Sequence, residues 1–280
     1  MKQIEMLLPE VYRQQIKPKD WIGLEELRCG YGSPMYLRYG ERERELWPQA
    51  DTFLVEEILQ RACHHSAYAY ADTIRQGYIT VEGGHRIGIC GFGVTENNLV
   101  RTVKEPSSLN IRVAKQVFGC GERLVSEMHH STLLLGPPGS GKTTLLRDIV
   151  RLLSDKCSRR VGLADERGEL SATVNGKAQL NVGLRTDVLV NVPKAEAIMM
   201  LLRTMNPNWI AVDEITAAED IISIEQAAYC GVKLLATAHG DSLLDLKKRP
   251  LYRRLMETGV FQQIVVLKWD KSYRIEEAVL

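Results

Sequence analysis

The chain has 280 residues, of which 45% are hydrophobic and 25% are charged, and this composition excludes an intrinsically disordered chain. Its 36 lysines and arginines nearly balance its 35 aspartates and glutamates, for a formal net charge of +1. A near-neutral chain of this length is expected to form about two globular domains and not to bind nucleic acid through bulk positive charge.

The first part of the chain mixes strand and helix patterns. Met35–Tyr39 alternates between apolar and polar residues and predicts an edge strand. Asp51 is placed to cap a helix that is predicted over residues 52–76. Beyond it, Tyr78–Val81 and Arg86–Cys90 flank a glycine turn and predict a β-hairpin.

A turn-rich stretch, Glu105–Ser108, separates this part from the rest and is the candidate linker. We therefore expect a small α+β domain over residues 1–105, a linker over 106–120 and a second domain over 121–280. The second domain is predicted to begin with a helix at about 122–128.

In the second domain, short apolar runs alternate with helical patterns. The predicted strands are Thr132–Leu135, Val161–Ala164, Trp209–Val212 and Lys233–Thr237, and the predicted helices are Thr143–Leu153 and Ala217–Tyr229. Apolar runs without alternation are typical of parallel strands that are covered on both faces. Strands and helices that follow each other in this way predict a doubly wound α/β domain.

The loop after the first of these strands reads Gly136-Pro137-Pro138-Gly139-Ser140-Gly141-Lys142-Thr143 and fits the phosphate-binding pattern GxxxxGK[ST]. Glycines let main-chain N–H groups turn towards phosphates, and the helix N-terminus adds the positive end of its dipole. Lys142 is then expected to reach the β- and γ-phosphates, and the Thr143 hydroxyl to ligate Mg²⁺. We predict that this loop, with Thr144 after it, binds ATP, and that the fold class is α/β with a P-loop, RecA-like domain preceded by the smaller α+β domain.

A second motif is the pair of carboxylates, Asp213 and Glu214, that follows the strand Trp209–Val212. The carboxyl ends of strands are where open α/β sheets bind ligands. Asp213 would hold Mg²⁺ through its water shell, and Glu214 would orient and deprotonate the attacking water. The alternative is an acidic cap of the next helix, but the position downstream of a P-loop favours the catalytic interpretation.

Two further polar stretches follow predicted strands. His239, in Thr237-Ala238-His239-Gly240, is placed to sense the γ-phosphate or to hold the attacking water, although an isolated histidine is more often structural. Asp165-Glu166-Arg167-Gly168-Glu169 is either a solvated turn or a second acidic element that faces the nucleotide. The residues alone leave both interpretations of this loop open.

Together these stretches resemble the secretion-ATPase branch of the P-loop proteins, the hexameric motors of type II and type IV secretion and of pilus assembly. Gly136–Thr143 is similar to the family's Walker A motif, Asp165–Glu169 to its acidic Asp box, Ile210–Glu214 to its Walker B motif and Thr237–His239 to its His box. With the hairpin Gly84–Gly91, the same motifs resemble the stage III sporulation AA family of endospore-forming bacteria.

The resemblance implies a Mg²⁺-dependent ATPase that forms a homo-oligomeric ring, a hexamer. We also expect this ATPase to belong to the AAA+ class. ATP would lie between the two domains and against a neighbouring subunit. The implied catalytic residues are Lys142, Glu166, Glu214 and His239, and the implied metal ligands are Thr143 and Asp213.

An arginine finger from a neighbouring subunit is expected in such rings, and the candidates are Arg185, Arg203 and Arg112. The resemblance also implies a membrane channel or secretion complex as partner, on the mother-cell side of the forespore. With no run of about 20 apolar residues and no long apolar leader, we expect a cytoplasmic protein that docks at a membrane complex. The six cysteines form no CxxC pair and are expected to be reduced and mostly buried.

One motif departs from the family pattern. The secretion motors usually have glycine before the Walker B glutamate and Arg-Asp just after it, whereas this chain has Asp213 before Glu214 and Ile215-Thr216 after it. The predicted magnesium site therefore looks more like that of a general P-loop ATPase.

Two other functions are compatible with the same loop. A nucleic-acid-translocating motor would use the same P-loop, and the basic cluster Lys247–Arg249 with Arg253 and Arg254 supports it. The near-zero net charge argues against nucleic acid as a partner. A slow nucleotide-dependent switch that controls assembly is the third possibility.

Overall fold

The computed structural model of the protein describes residues 2–63, 70–97 and 99–278. The chain divides into two compact units. The first unit is made of two stretches, Met1–Lys115 and Ala172–Gln179, and the second of two others, Gln116–Ser171 and Leu180–Leu280. None of the described helices is long and apolar enough to cross a membrane.

The first unit is an antiparallel sheet with short helices packed on it. Its strands are β1 (Glu26–Gly30), β2 (Met35–Tyr39), β3 (Arg42–Leu46), β4 (Tyr78–Val81), β5 (His85–Glu96) and β6 (Leu99–Arg112). Its helices are α1 (Lys2–Leu7), α2 (Glu10–Arg13), a 3₁₀ turn (Pro18–Trp21), α3 (Thr52–Ala62) and α4 (Ala71–Arg75). The strand order is β3-β2-β1-β6-β5-β4, and the sheet packs its apolar residues against α1 and α3 in one core.

Two expectations for this unit are confirmed. The hairpin is formed by β4 and β5, with Tyr78 opposite Gly88 and Val81 opposite His85. Asp51 caps α3, because its Oδ1 accepts a hydrogen bond of 2.7 Å from the main-chain N–H of Leu54.

Three expectations need correction or restriction. The predicted edge strand is wrong, because β2 lies between β1 and β3, and the charged sequence of β3 carries no strand pattern that would have revealed it. The predicted helix over residues 52–76 is represented by α3 and α4, and residues 64–69 between them lie outside the described part of the chain. Of the expected linker, residues 106–112 belong to β6.

The second unit is a mostly parallel sheet with helices on its faces. Its strands are β7 (Thr132–Gly136), β8 (Val161–Asp165), β9 (Thr186–Val190), β10 (Trp209–Val212), β11 (Lys233–His239), β12 (Gln263–Leu267) and β13 (Tyr273–Glu277). Its helices are α5 (Glu122–Glu127), α6 (Lys142–Asp155), α7 (Lys194–Thr204), α8 (Ala218–Tyr229), α9 (Leu243–Lys248) and α10 (Pro250–Glu257). The strand order is β13-β12-β7-β11-β10-β8-β9, and only β13 is described as antiparallel to its neighbour.

This sheet confirms the predicted α/β fold class and the predicted strands and helices of the second domain. β7, β8 and β10 are buried along their whole length, which explains their unbroken apolar runs. The sheet also brings the carboxyl ends of β7, β10 and β11 to one edge, with His239 opposite Gly136. The candidate site forms at this edge.

The expectation of mostly buried cysteines is wrong. All six lie in the described part of the chain as free thiols, and of these only Cys29 and Cys63 are buried. The other four, Cys90, Cys120, Cys157 and Cys230, are exposed.

Candidate active site

The glycine loop connects β7 to α6 and is held in a tight turn. Gly139 and Gly141 have φ angles of +75° and +94°, in the left-handed region that favours glycine. A Cβ atom at Gly136 would lie 2.7 Å from the Ser140 Oγ, so a side chain there would close the loop. The Oγ of Ser140 is buried and, among the described residues, has no hydrogen-bond partner. The first main-chain N–H groups of a helix have no partner within the helix, so an unpaired hydroxyl at the start of α6 fits a loop that receives oxygen atoms of a ligand.

Lys142 begins α6 and turns its side chain back into the loop. Its Nζ donates to the carbonyl oxygens of Gly136 (2.7 Å) and Pro137 (2.9 Å), and it lies 3.1 Å from His239 Nδ1. The side chain is buried. Burial lowers the pKa of the Lys142 ammonium, and the nearby carboxylates of Asp213 and Glu214 act in the opposite direction. The loop therefore holds a desolvated cation at the position where a phosphate would be neutralised.

Thr143 and Asp213 face each other across the edge of the sheet. The Thr143 Oγ1 lies 3.3 Å from Asp213 Oδ2, and Asp213 Oδ1 accepts a 2.7 Å hydrogen bond from Thr237 Oγ1. Hydroxyl and carboxylate oxygens are the ligands that Mg²⁺ prefers. Within the described ranges, no group of three or more His, Cys, Asp and Glu side chains could hold a metal ion. The two oxygens thus fit a Mg²⁺ that takes its remaining ligands from phosphate and water.

Glu214 has an unusual main-chain conformation, which is held by hydrogen bonds to Glu214 and to the next residue. Its φ angle is +30°, which for a residue with a side chain costs on the order of 1–3 kcal/mol. Its N–H donates to Thr237 Oγ1 (2.9 Å), and its carbonyl accepts from Lys194 Nζ (2.7 Å). The next residue, Ile215, donates its N–H to the Thr237 carbonyl (3.0 Å) and accepts from the Tyr252 hydroxyl (2.9 Å). These partners fix the direction of the Glu214 side chain.

His239 connects the P-loop lysine to this glutamate. Its Nε2 lies 3.1 Å from Glu214 Oε1, and its Nδ1 is the atom next to Lys142 Nζ. Three of the four side chains that were predicted to be catalytic, Lys142, His239 and Glu214, therefore form one continuous chain of polar contacts.

The acidic loop after β8 is fixed by Asp165, which is buried. The Asp165 carboxylate accepts hydrogen bonds from the main-chain N–H groups of Leu170 (3.1 Å) and Ser171 (2.8 Å). Arg147 of α6 holds the same loop from the other side, by donating to the carbonyls of Glu169 and Leu170 at 2.7 Å each. Asp165 thus organises the turn.

Glu166 and Arg167, which follow Asp165 in that loop, line a pocket with Asp213 and Glu214. The Glu166 Oε2 lies 3.4 Å from Lys194 Nζ, and an Arg167 guanidinium nitrogen lies 3.8 Å from Glu214 Oε2. Asp165 is buried, whereas Glu166, Arg167 and Glu169 are exposed. A role of this loop towards a nucleotide therefore stays a prediction.

The remaining predicted residues lie as follows. Thr144 is half-buried in the first turn of α6. Arg185 donates to the Ser158 carbonyl (3.0 Å), Arg112 lies in β6 with its Nε 3.4 Å from Glu26 Oε1, and Arg203 is exposed in the last turn of α7. An arginine finger contacts the nucleotide of a neighbouring subunit, and the structure contains a single subunit. The role therefore stays a prediction for all three arginines.

Sequence reasoning missed three residues that position the site. Thr237 carried a signal, because residues two apart on a strand point to the same side, and Thr237 precedes His239 by two. Lys194 and Tyr252 carried none, since each is an isolated polar residue in a helix far along the chain from Glu214.

Comparisons with known proteins agree with this architecture. The family model for sporulation stage III, protein AA matches residues 2–275. The stage III sporulation protein AA of Bacillus subtilis strain 168 is 36% identical over 97% of this chain and 92% of its own length.

Two solved structures share the fold. The pilus retraction motor PilT with bound ADP matches with a TM-score of 0.63 at 15% identity, over 92% of this chain and 80% of that chain. The Legionella pneumophila ATPase DotB matches with a TM-score of 0.58 at 14% identity, over 91% and 75%. The comparisons do not support the predicted AAA+ class, which is a different class of ATPase.

Proposed function

The chain belongs to the stage III sporulation protein AA family, as its motifs predicted, and we propose that it is a Mg²⁺-dependent ATPase of the secretion-motor type. One observation carries the proposal: Lys142, the Thr143–Asp213 pair and the Glu214–His239 pair meet at the carboxyl edge of one parallel sheet. This is the set of groups that phosphoryl transfer from a nucleoside triphosphate requires.

Each group has a separate task in this proposal. Lys142 exchanges its bonds to the Gly136 and Pro137 carbonyls for bonds to the β- and γ-phosphates. Glu214 accepts a proton from the attacking water, and His239 keeps its carboxylate in position. Mg²⁺, held by Thr143 and Asp213, supplies charge neutralisation at the phosphates when it is bound.

The family and the fold support the proposed biological role. The relative in B. subtilis is named for stage III of sporulation, and PilT is named as a pilus retraction motor. We infer that this chain forms a homohexameric ring that energises or gates a membrane-associated channel during endospore formation. It would act from the cytoplasm of the mother cell, bound at the periphery of the membrane complex. In the ring, Arg185, Arg203 or Arg112 would supply the arginine finger to the neighbouring subunit.

The ring is tested by following phosphate release per subunit and molecular mass in solution over a series of protein concentrations. We expect the rate per subunit to rise as hexamers form. A rate that stays constant while the chain remains monomeric would rule out the ring. Stimulation by DNA at low salt that is lost as salt rises would instead favour a nucleic-acid motor.

A further inference from the structure

The turn between β12 and β13 lies against the P-loop. The Lys271 Nζ donates a 2.6 Å hydrogen bond to the carbonyl oxygen of Gly139, across 132 residues of chain. The Trp269 ring lies beside the same glycine, since a Cβ atom at Gly139 would be 3.3 Å from the ring. The Lys271 side chain also passes within 4 Å of where a Cβ atom of Gly141 would lie. An indole and an ammonium thus reach the loop from a distant part of the sequence.

Trp269 is exposed although it touches this loop. Its exposed fraction is 67%, whereas Trp209, on β10 of the same unit, is 4% exposed and belongs to the core. Covering a large apolar ring at the rim of a predicted binding site with a flat ligand removes apolar surface from water and therefore favours binding. The predicted ligand, ATP, has a flat base.

The strand order determines the side of the P-loop on which that base must lie. β7 has β11 and then β10 on one side, and β12 on the other. Asp213 and Glu214 follow β10, and His239 is the last residue of β11, so the γ-phosphate end of the nucleotide belongs on that side. The base, at the opposite end of the nucleotide, then extends towards β12, and Trp269 follows the carboxyl end of β12.

We propose that Trp269 stacks on the adenine base of the bound nucleotide. This inference rests on the proposed function, because it assigns a base-binding residue to the same ATP site. Loss of stacking between a base and an aromatic side chain weakens binding by between about fivefold and a hundredfold.

The test compares two ligands, ADP and inorganic pyrophosphate, by calorimetry with the full chain. We expect Trp269→Ala to weaken ADP binding by at least about fivefold and to leave pyrophosphate binding unchanged, because pyrophosphate has no base. Trp269→Phe keeps a flat ring and should restore most of the ADP affinity. Tyr229→Ala removes another exposed aromatic ring, 83% exposed on α8, and is the matched control that should bind both ligands like the unmodified chain.

The outcomes separate this inference from the proposed function. If Trp269→Ala binds both ligands as the unmodified chain does, or loses both to the same degree, stacking on the base is wrong while nucleotide binding stands. If the unmodified chain binds neither ligand, the proposed function fails and the inference fails with it. A thermal unfolding midpoint that matches the unmodified chain shows that the variant is folded.

Discussion

The Nε2 of His239 lies 3.1 Å from the Oε1 of Glu214, and its Nδ1 lies 3.1 Å from the Nζ of Lys142. An ammonium can only donate hydrogen bonds, so in the neutral imidazole Nδ1 is the accepting nitrogen and Nε2 carries the hydrogen that points at Glu214. The contact from Lys142 therefore sets the tautomer of His239, and the tautomer orients the proposed base.

This arrangement predicts the effect of removing the imidazole. We expect His239→Ala to lower the rate of ATP hydrolysis by about tenfold to a hundredfold, because a misplaced base loses rate steeply. ATP affinity should stay within about threefold, since Lys142 can still bind the phosphates without the imidazole. Steady-state phosphate release and equilibrium ATP binding measure the two effects. His129→Ala removes an exposed histidine and should change neither; an unchanged rate in His239→Ala would contradict the assignment.

Lys194 is a buried cation that contacts the Glu214 carbonyl and the Asp220 carboxylate. Its Nζ donates to the Glu214 carbonyl and lies 3.7 Å from the carboxylate of Asp220, which is also buried. Lys194→Met leaves that carboxylate without its cation, so we expect a loss of about 3–5 kcal/mol in the free energy of unfolding, measured in urea. Lys156→Met is the matched control, because its ion pair with Glu122 is exposed and should cost less than about 1 kcal/mol. Equal effects of the two variants would show that Lys194 is not a structural cation.

Thr237 joins Asp213 to the main chain of Glu214 through one hydroxyl group. Its Oγ1 donates to Asp213 Oδ1 and accepts from the Glu214 N–H. Thr237→Val keeps the shape but removes both bonds, so hydrolysis should fall by about tenfold or more and Mg²⁺ affinity should weaken. Thr237→Ser retains the hydroxyl and should keep most of the activity. If Thr237→Val and Thr237→Ser hydrolyse ATP equally well, the hydroxyl has no part in positioning.

His85 predicts a pH dependence of stability in the first unit. Its side chain is buried, its Nδ1 accepts a 3.0 Å bond from the Ala114 N–H, and burial lowers its pKa from 6.5 to about 4. The unfolded chain therefore binds more protons between pH 6.5 and 4, and the contribution of His85 to stability is lost as the pH falls through that range. The loss is on the order of 3 kcal/mol.

The variant His85→Asn tests this dependence, because the asparagine oxygen can still accept from Ala114. Urea unfolding at pH 7 and pH 4.5 should give a smaller difference in unfolding free energy for His85→Asn than for the unmodified chain. His129→Asn, at an exposed position, should keep the original difference. Identical pH differences in all three proteins would mean that His85 is not the titrating group.

The sequence predicted the parts of the site that are encoded locally. Each predicted element lies at or just after the end of an apolar strand: the P-loop, Asp213, Glu214 and His239. The parallel order of the sheet brings those strand ends together. It could not predict partners that arrive through tertiary packing, such as Lys194. It also missed β3, which is mostly charged and has no apolar pattern. β12 was missed although residues 264–267 form a buried apolar run.

The most direct test of the account is phosphate release and ATP binding by the unmodified chain, Glu214→Gln and Lys142→Ala, each with Mg²⁺ and with a chelator. Glu214→Gln keeps the shape of the side chain and removes the base, so hydrolysis should fall by about 10²–10⁴ while ATP still binds. Lys142→Ala should lose ATP binding as well, because the phosphates lose their buried cation. If the three proteins release phosphate at the same rate, or if none does so although ATP binds, the chain is not the proposed ATPase, and a nucleotide-dependent switch becomes the better description.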